Sequence, residues 1–294
     1  MFIMTKRRLI TAIAAAVTSL MLVIGLPFVT SLHDQVAQAT TTLRVYAAVS
    51  LTEVIQDIEN AYNTDNPGAQ ISFINTLDSS GALLTQIQNP TNESAGIPDI
   101  FISAATTQMN TLQSASKLAS GWPVTVATNR LVLIKPTTFA AGSPTPSFSG
   151  FSTLTNASVR GIAIGTPTTV PAGNYGKQVL ESTVSGCGGN IYTTLLNNSK
   201  LVFANNVRDV LSAVENKTLS SQTIDAGIVY TTDKDTSSQV SLVATAAQNC
   251  HSAIVYPAAV LSRTTNGTAA ASFANYLSSS TARDKFTDLG FGVP

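Results

Sequence analysis

Charge, cysteine, histidine and aromatic side chains are all scarce in this 294-residue sequence. Charged residues make up 11% and aromatic residues 6%, against 44% hydrophobic, and 16 Lys+Arg balance 16 Asp+Glu. So apolar a composition excludes a disordered chain, so few charges exclude a coiled coil, and the lack of a basic excess excludes nucleic acid as a partner. The histidines are His33 and His251, and the cysteines Cys187 and Cys250. Cys187 with Cys250-His251 is a three-ligand set without CxxC or HxxxH spacing, so neither a metal cation site nor a cofactor is expected. No G-x-S-x-G, P-loop or G-x-G-x-x-G follows a strand-like run, which leaves acyl-hydrolase and nucleotide readings without support.

What is present begins with an export pattern. Lys6, Arg7 and Arg8 precede an apolar run from Leu9 to Val29, and Gln35-Val36-Ala37-Gln38-Ala39 offers the small-x-small pattern of a cleavage site after Ala39. Removal of residues 1–39 leaves a net charge of about −2, too little to funnel anions over long range. The run also approaches the roughly 20 residues that span a bilayer, so a tether by one uncleaved helix stays open. No Cys follows it to carry a lipid. In an oxidising compartment two cysteines read as one disulfide, Cys187–Cys250.

The length allows one large or two medium domains, and two lobes are the default. From Thr42 strand-like and helix-like stretches alternate. Leu43–Ala48, Ile71–Ile74 and Ile100–Ser103 are strand candidates, the last following the turn signal Gly96-Ile97-Pro98-Asp99. Helices are expected at Leu51–Tyr62 and Gly81–Ile87, which completes a βαβαβ unit and requires a parallel sheet. Pro123–Ile134 reads as one long strand, followed by a Ser/Thr/Pro/Gly-rich loop from Pro136 to Gly150. A second α/β series runs through strands Gly161–Ile164, Leu201–Phe203 and Ala226–Tyr230 and helices Gly173–Ser182 and Val207–Glu215. Ala253–Leu261 is again strand-like, and helices at Ala269–Leu277 and Ser280–Leu289 end the chain.

Four helix starts share a character: Ser50-Leu51-Thr52-Glu53, Asp78-Ser79-Ser80-Gly81, Val170-Pro171-Ala172-Gly173 and Asn205-Asn206-Val207-Arg208. The first carries a capping-box spacing, and each taken singly reads as ordinary capping. Together they follow strands, at the carboxyl ends where open α/β sheets bind ligands. Their unpaired N–H groups and positive dipole ends would form an anion site without any cation. Lys177 and Arg208, one turn inside two of these helices, read as surface or packing residues.

These residues also carry a resemblance. Val45-Tyr46-Ala47-Ala48-Val49-Ser50-Leu51-Thr52, Asp99-Ile100-Phe101-Ile102-Ser103-Ala104, Gly165-Thr166-Pro167, Val170-Pro171-Ala172-Gly173-Asn174-Tyr175-Gly176-Lys177, Asn206-Val207-Arg208 and Gly227-Ile228-Val229-Tyr230 resemble, in order, the molybdate-binding proteins of ABC importers. The resemblance implies an α/β, two-lobed periplasmic-binding-protein fold of type II, each lobe a mostly parallel sheet flanked by helices, with the ligand cleft between them. It implies ligand contacts from the hydroxyls of Ser50 and Ser80, the backbone N–H groups of Ala172 and Val207, and the phenol of Tyr230. The implied divisions are a signal peptide at 1–39, the first part of lobe 1 at 40–122, lobe 2 at 123–252, and the return to lobe 1 at 253–294.

The implied function is capture of molybdate or tungstate outside the cytoplasm, as a monomer, for an ABC permease and its ATPase subunit, with no catalysis. Asp78 departs from the pattern, standing where hydroxyl or small residues are usual, as does the longer segment Pro90–Gly96. A sulfate or other oxyanion binder of the same fold is the nearest alternative. A secreted hydrolase is the other. Ser114-Ala115-Ser116-Lys117 matches a bare S-x-x-K without S-D-N or K-T-G, and a Cys187–His251 thiol pair would be abolished by the disulfide.

Overall fold

In the computed structural model, which describes residues 40–89, 98–142 and 145–294, two five-stranded sheets carry the architecture. The signal-like segment, Pro90–Gly96 and the first half of the turn at Gly96–Asp99 lie outside the described residues. The first sheet starts with β1 (Thr41–Ala48), whose Leu43, Val45 and Ala47 alternate into the core as a half-buried strand requires. After a 3-10 turn at Val49–Leu51, α1 (Thr52–Asp65) buries Val54, Ile55, Ile58 and Tyr62 along one face. The chain continues through β2 (Ile71–Asp78), α2 (Ser80–Gln88), the fully buried β3 (Ile100–Ile102), α3 (Thr106–Ser114) and β4 (Val124–Thr128).

The second sheet begins with β5 (Leu131–Pro136) and continues with β6 (Ile162–Gly165), α4 (Pro171–Glu181), α5 (Tyr192–Asn197), β7 (Leu201–Ala204) and α6 (Val207–Asn216). A small hairpin, β8 (Thr218–Leu219) with β9 (Gln222–Thr223), precedes β10 (Ala226–Tyr230), α7 (Thr231–Asp235) and β11 (Val240–Thr245). β12 (Val255–Val260) then returns to the first sheet, and α8 (Gly267–Tyr276) and α9 (Ser280–Asp288) finish the chain.

Strand order is β2-β1-β3-β12-β4 in one sheet and β11-β5-β10-β6-β7 in the other. β1 pairs parallel with β2 and β3, and β6 parallel with β10 and β7. The returning β12 runs antiparallel to β3 and β4, and β5 antiparallel to β10 and β11. Each lobe is therefore mixed, with a parallel half and an antiparallel half.

The stretch expected as one strand over Pro123–Ile134 is two strands in two sheets. Asn129 breaks it: its side-chain oxygen accepts the Arg130 N–H at 2.8 Å, and the residues on either side pair into different sheets. The sheet changes at Asn129–Arg130, after β4, rather than at a 122/123 boundary. The return passes through Cys250, which is bonded to Cys187 across a sequence separation of 63. Ser114 ends α3, and the Lys117 N–H closes that helix on the Leu112 carbonyl, so the S-x-x-K spacing is a helix terminus.

Candidate anion-binding site

Ser50, Ser80, Ala172, Val207 and Tyr230 line one small cavity between the two sheets, together with Asp78 and Ala104. The cavity is tight, about 10 Å3, room for about one water-sized group and too little for an amino acid or a sugar. No Lys, Arg or His lines it, and Asp78 is its one charged side chain among the described residues.

Each wall is a helix entrance. At α1 the capping-box expectation fails: the N-cap is Leu51, without a side-chain bond, because the 3-10 turn over Val49–Leu51 leads into the helix. The Ser50 hydroxyl, 2% exposed, instead meets the Tyr256 hydroxyl at 3.0 Å. Tyr256 also accepts from the Asn129 amide at 3.2 Å, and where the phenol donates to Ser50 the serine's own hydrogen is free for the cavity.

At α2 the roles separate between neighbouring serines. Ser79 is the N-cap and accepts from the Ala82 N–H, whereas Ser80 accepts the Ala104 N–H at 2.9 Å and keeps its own hydrogen to donate. Asp78 takes up the Ser79 N–H at 2.6 Å, so one donor of this entrance is spent on a carboxylate within the protein.

The second lobe supplies backbone. Pro171 stands at the first turn of α4, and no side chain caps that end, so the Ala172 N–H has no partner inside the helix. The entrance packs hard on the end of β6: a Cβ on Gly173 would lie 1.9 Å from the Gly165 carbonyl oxygen. At α6 the Asn206 side chain caps the Asp209 N–H and leaves the Val207 N–H without an intrahelical acceptor.

Tyr230 ends β10, 1% exposed, with its ring edge-on to Tyr256, and its hydroxyl is buried without a hydrogen-bond partner among the described residues. Burial pushes that phenol well above its ordinary pKa, so it stays protonated and able to donate. An unmade bond of this kind costs about 1–3 kcal/mol and persists where a ligand completes it.

The lobes touch directly around the cavity. The Gly81 N–H donates to the Thr169 carbonyl at 2.9 Å, and a Cβ at Gly81 would lie 2.4 Å from that oxygen. The Tyr175 hydroxyl, pushed up to about 12 by burial, reaches toward the Ala104 and Ala253 carbonyls. Arg208 spans Glu53 of α1 and Asp233 of α7. Burial raises Asp233 to about 6, with the guanidinium pulling the other way. Lys177 lies away from the cavity, pairing with Glu181 at 3.3 Å beside the Tyr192 ring.

Sequence reasoning missed Asn129 and Tyr256 because neither stands at a helix entrance, missed Asp233 because the short α7 after Tyr230 was not foreseen, and assigned Glu53 to a cap. The available signal for Tyr256 was its polarity inside an otherwise apolar run, and for Asp233 its place three residues after Tyr230.

Several known proteins resemble this chain over most of its length. It is 33% identical to the putative ABC transporter substrate-binding lipoprotein YvgL of Bacillus subtilis over 277 residues, covering 94% of this chain and 95% of that protein. It is 30% identical to the molybdate-binding protein ModA of Escherichia coli over 253 residues, covering 85% and 89%. The substrate-binding domain of a putative molybdenum ABC transporter from Clostridium difficile superimposes with a TM-score of 0.61 at 30% identity, covering 87% of this chain and all of that one. The fold is that of a type II periplasmic binding protein. The family profile of bacterial extracellular solute-binding proteins spans residues 43–292, and the chain belongs to that family.

Proposed function

We propose that this protein captures molybdate, and tungstate with it, outside the cytoplasm and presents it, as a monomer, to an ABC permease driven by its ATPase subunit. The observation that carries the reading is the buried, unpartnered Tyr230 hydroxyl facing a cavity whose other polar groups are serine hydroxyls, helix-entrance N–H groups and the Asp78 carboxylate, itself engaged by the Ser79 N–H. A tetrahedral dianion without a proton needs donors only, and each charge-assisted bond contributes roughly 1.5–3 kcal/mol. The relatives named for molybdate support the same ligand. Catalysis has no place in this reading: the cleft pairs no nucleophile with a base, Cys187 is bonded to Cys250, and His251 lies outside the cavity lining. Ligand binding at 1,000 times Kd stabilises the native state by about 4 kcal/mol, so molybdate is expected to raise Tm by roughly 8–16 °C. No rise with molybdate, beside a rise with sulfate, contradicts the assignment.

A second reading follows from Asp78, a carboxylate at the cavity. It could accept the proton of a hydrogen-bearing oxyanion such as phosphate, which a donor-only site cannot do. Asp78→Asn separates the two: it strengthens molybdate binding in the first reading and weakens phosphate binding in the second.

A further inference from the structure

We infer that Arg208 is a positioning residue that ties three walls of the anion cleft together and so controls how long the ligand is held. The guanidinium is engaged on both sides of the cleft. Its Nη2 and Nη1 donate to Glu53 Oε2 and Oε1 at 2.6 and 2.9 Å, a two-pronged pairing with the first turn of α1. Its Nε donates to Asp233 Oδ1 at 2.6 Å, and the other Asp233 oxygen accepts the Tyr230 N–H at 3.2 Å.

Each partner adjoins a residue of the cavity. Glu53 lies one turn after Ser50, Arg208 directly follows Val207, and Asp233 holds the backbone of Tyr230. Three of the five proposed ligand contacts are thus linked through one side chain. Ser80 and Ala172 are joined separately, at the Gly81–Thr169 backbone contact between α2 and the approach to α4.

The chemistry suits a clasp rather than a ligand. Arg208 is absent from the cavity lining, and its charge is matched by two carboxylates, so it adds little attraction for the anion. Asp233 is fully buried with Arg208 in its own lobe, whereas Glu53 is 43% exposed and comes from the other. The Asp233 half is built into the second lobe, and the Glu53 half exists only when the lobes are together. A clasp that forms on closure slows opening without speeding entry.

This inference rests on the anion-cleft reading, and its test separates the two. The parent protein is titrated first with molybdate, tungstate, sulfate and phosphate, and the tightest anion is used for stopped-flow kinetics. Glu53→Gln is expected to raise the dissociation rate about tenfold, to leave the association rate within about twofold, and to leave the ligand-free melting temperature unchanged, since Asp233 still holds Arg208. Adding Glu53→Gln to Arg208→Gln/Asp233→Asn is expected to change the dissociation rate no further, because the pairing partner is already gone. A dissociation rate within twofold of the parent overturns the clasp, and so does a faster rate matched by a loss of ligand-free stability. Tight binding of sulfate or phosphate in place of molybdate and tungstate overturns the ligand assignment and leaves the kinetic test of the clasp in force. Binding of none of the four overturns both.

Discussion

Two buried groups without full hydrogen bonding dominate at the scale of single residues, and they have opposite meanings. The Tyr230 hydroxyl faces the cleft, so Tyr230→Phe should weaken molybdate binding by about 1–3 kcal/mol, a roughly 5- to 150-fold rise in Kd measured by calorimetry. The ligand-free protein should melt no lower, because the variant removes an unsatisfied donor and keeps the ring against Tyr256. Ser50→Ala should weaken binding similarly but also lower the ligand-free melting temperature, because it removes the serine partner of the buried Tyr256 hydroxyl and the Asn129 amide can only donate to that phenol. Glu59 lies far from this chemistry, with Oε1 unpaired and Oε2 accepting from Asn75. Burial pushes its carboxyl up to about 7, the Asn75 amide acting against the shift. Between about pH 4.5 and pH 7 the native state holds a proton that the unfolded chain has released, so stability contributed at low pH is lost as pH rises through that window. Relative to Glu59→Gln, the parent should lose about 3 kcal/mol from pH 4.5 to pH 8, read from denaturant titrations at both pH values. Parallel curves for the two proteins would contradict the assignment.

Helix entrances do the work at the scale of elements, and the four do it differently. Asn206 and Ser79 are caps by the ordinary rule, and each leaves its neighbour free to face the cleft. Ser50 looked like a cap and is not one. Spacing alone cannot distinguish a capping serine from one displaced by a 3-10 turn, because both precede an apolar helical face. The apolar periodicity of α1 and α6 and the alternation in β1 were legible because packing against one core imposes them. The break at Asn129 was not, since β-branched residues suit either sheet and only tertiary packing decides which sheet receives them. α3 and β11 escaped for a related reason: Met109 and Leu112 give α3 a narrow apolar face, and Leu242 in the edge strand β11 is 52% exposed. At the α2 entrance, Gly81→Ala should reduce molybdate affinity at least tenfold with little effect on ligand-free stability, because its Cβ meets Thr169 only when the lobes close. Unaltered affinity in titration would contradict a closed, liganded cleft of this shape.

At the scale of the whole molecule, two sheets exchange strands at two crossings, and the disulfide lies beside one of them. Cys187 follows α4 in the second lobe, and Cys250 precedes the return into β12. A bond closing some 63 residues is worth about 4 kcal/mol on the chain-entropy account. Reduction and alkylation should therefore lower Tm by roughly 8–16 °C while leaving molybdate affinity nearly unchanged, since neither cysteine lines the cleft. The cleft is a product of both lobes, with Ser50 and Ser80 from one and Ala172, Val207 and Tyr230 from the other, so it exists only in the closed molecule. The central claim is that these donors, without a cation, select a proton-free tetrahedral dianion. Calorimetric titration of the purified protein with molybdate, tungstate, sulfate and phosphate at neutral pH tests it most directly. The account predicts one molybdate or tungstate per chain, bound at least a hundredfold more tightly than phosphate, and tight binding of phosphate with none of molybdate would contradict it.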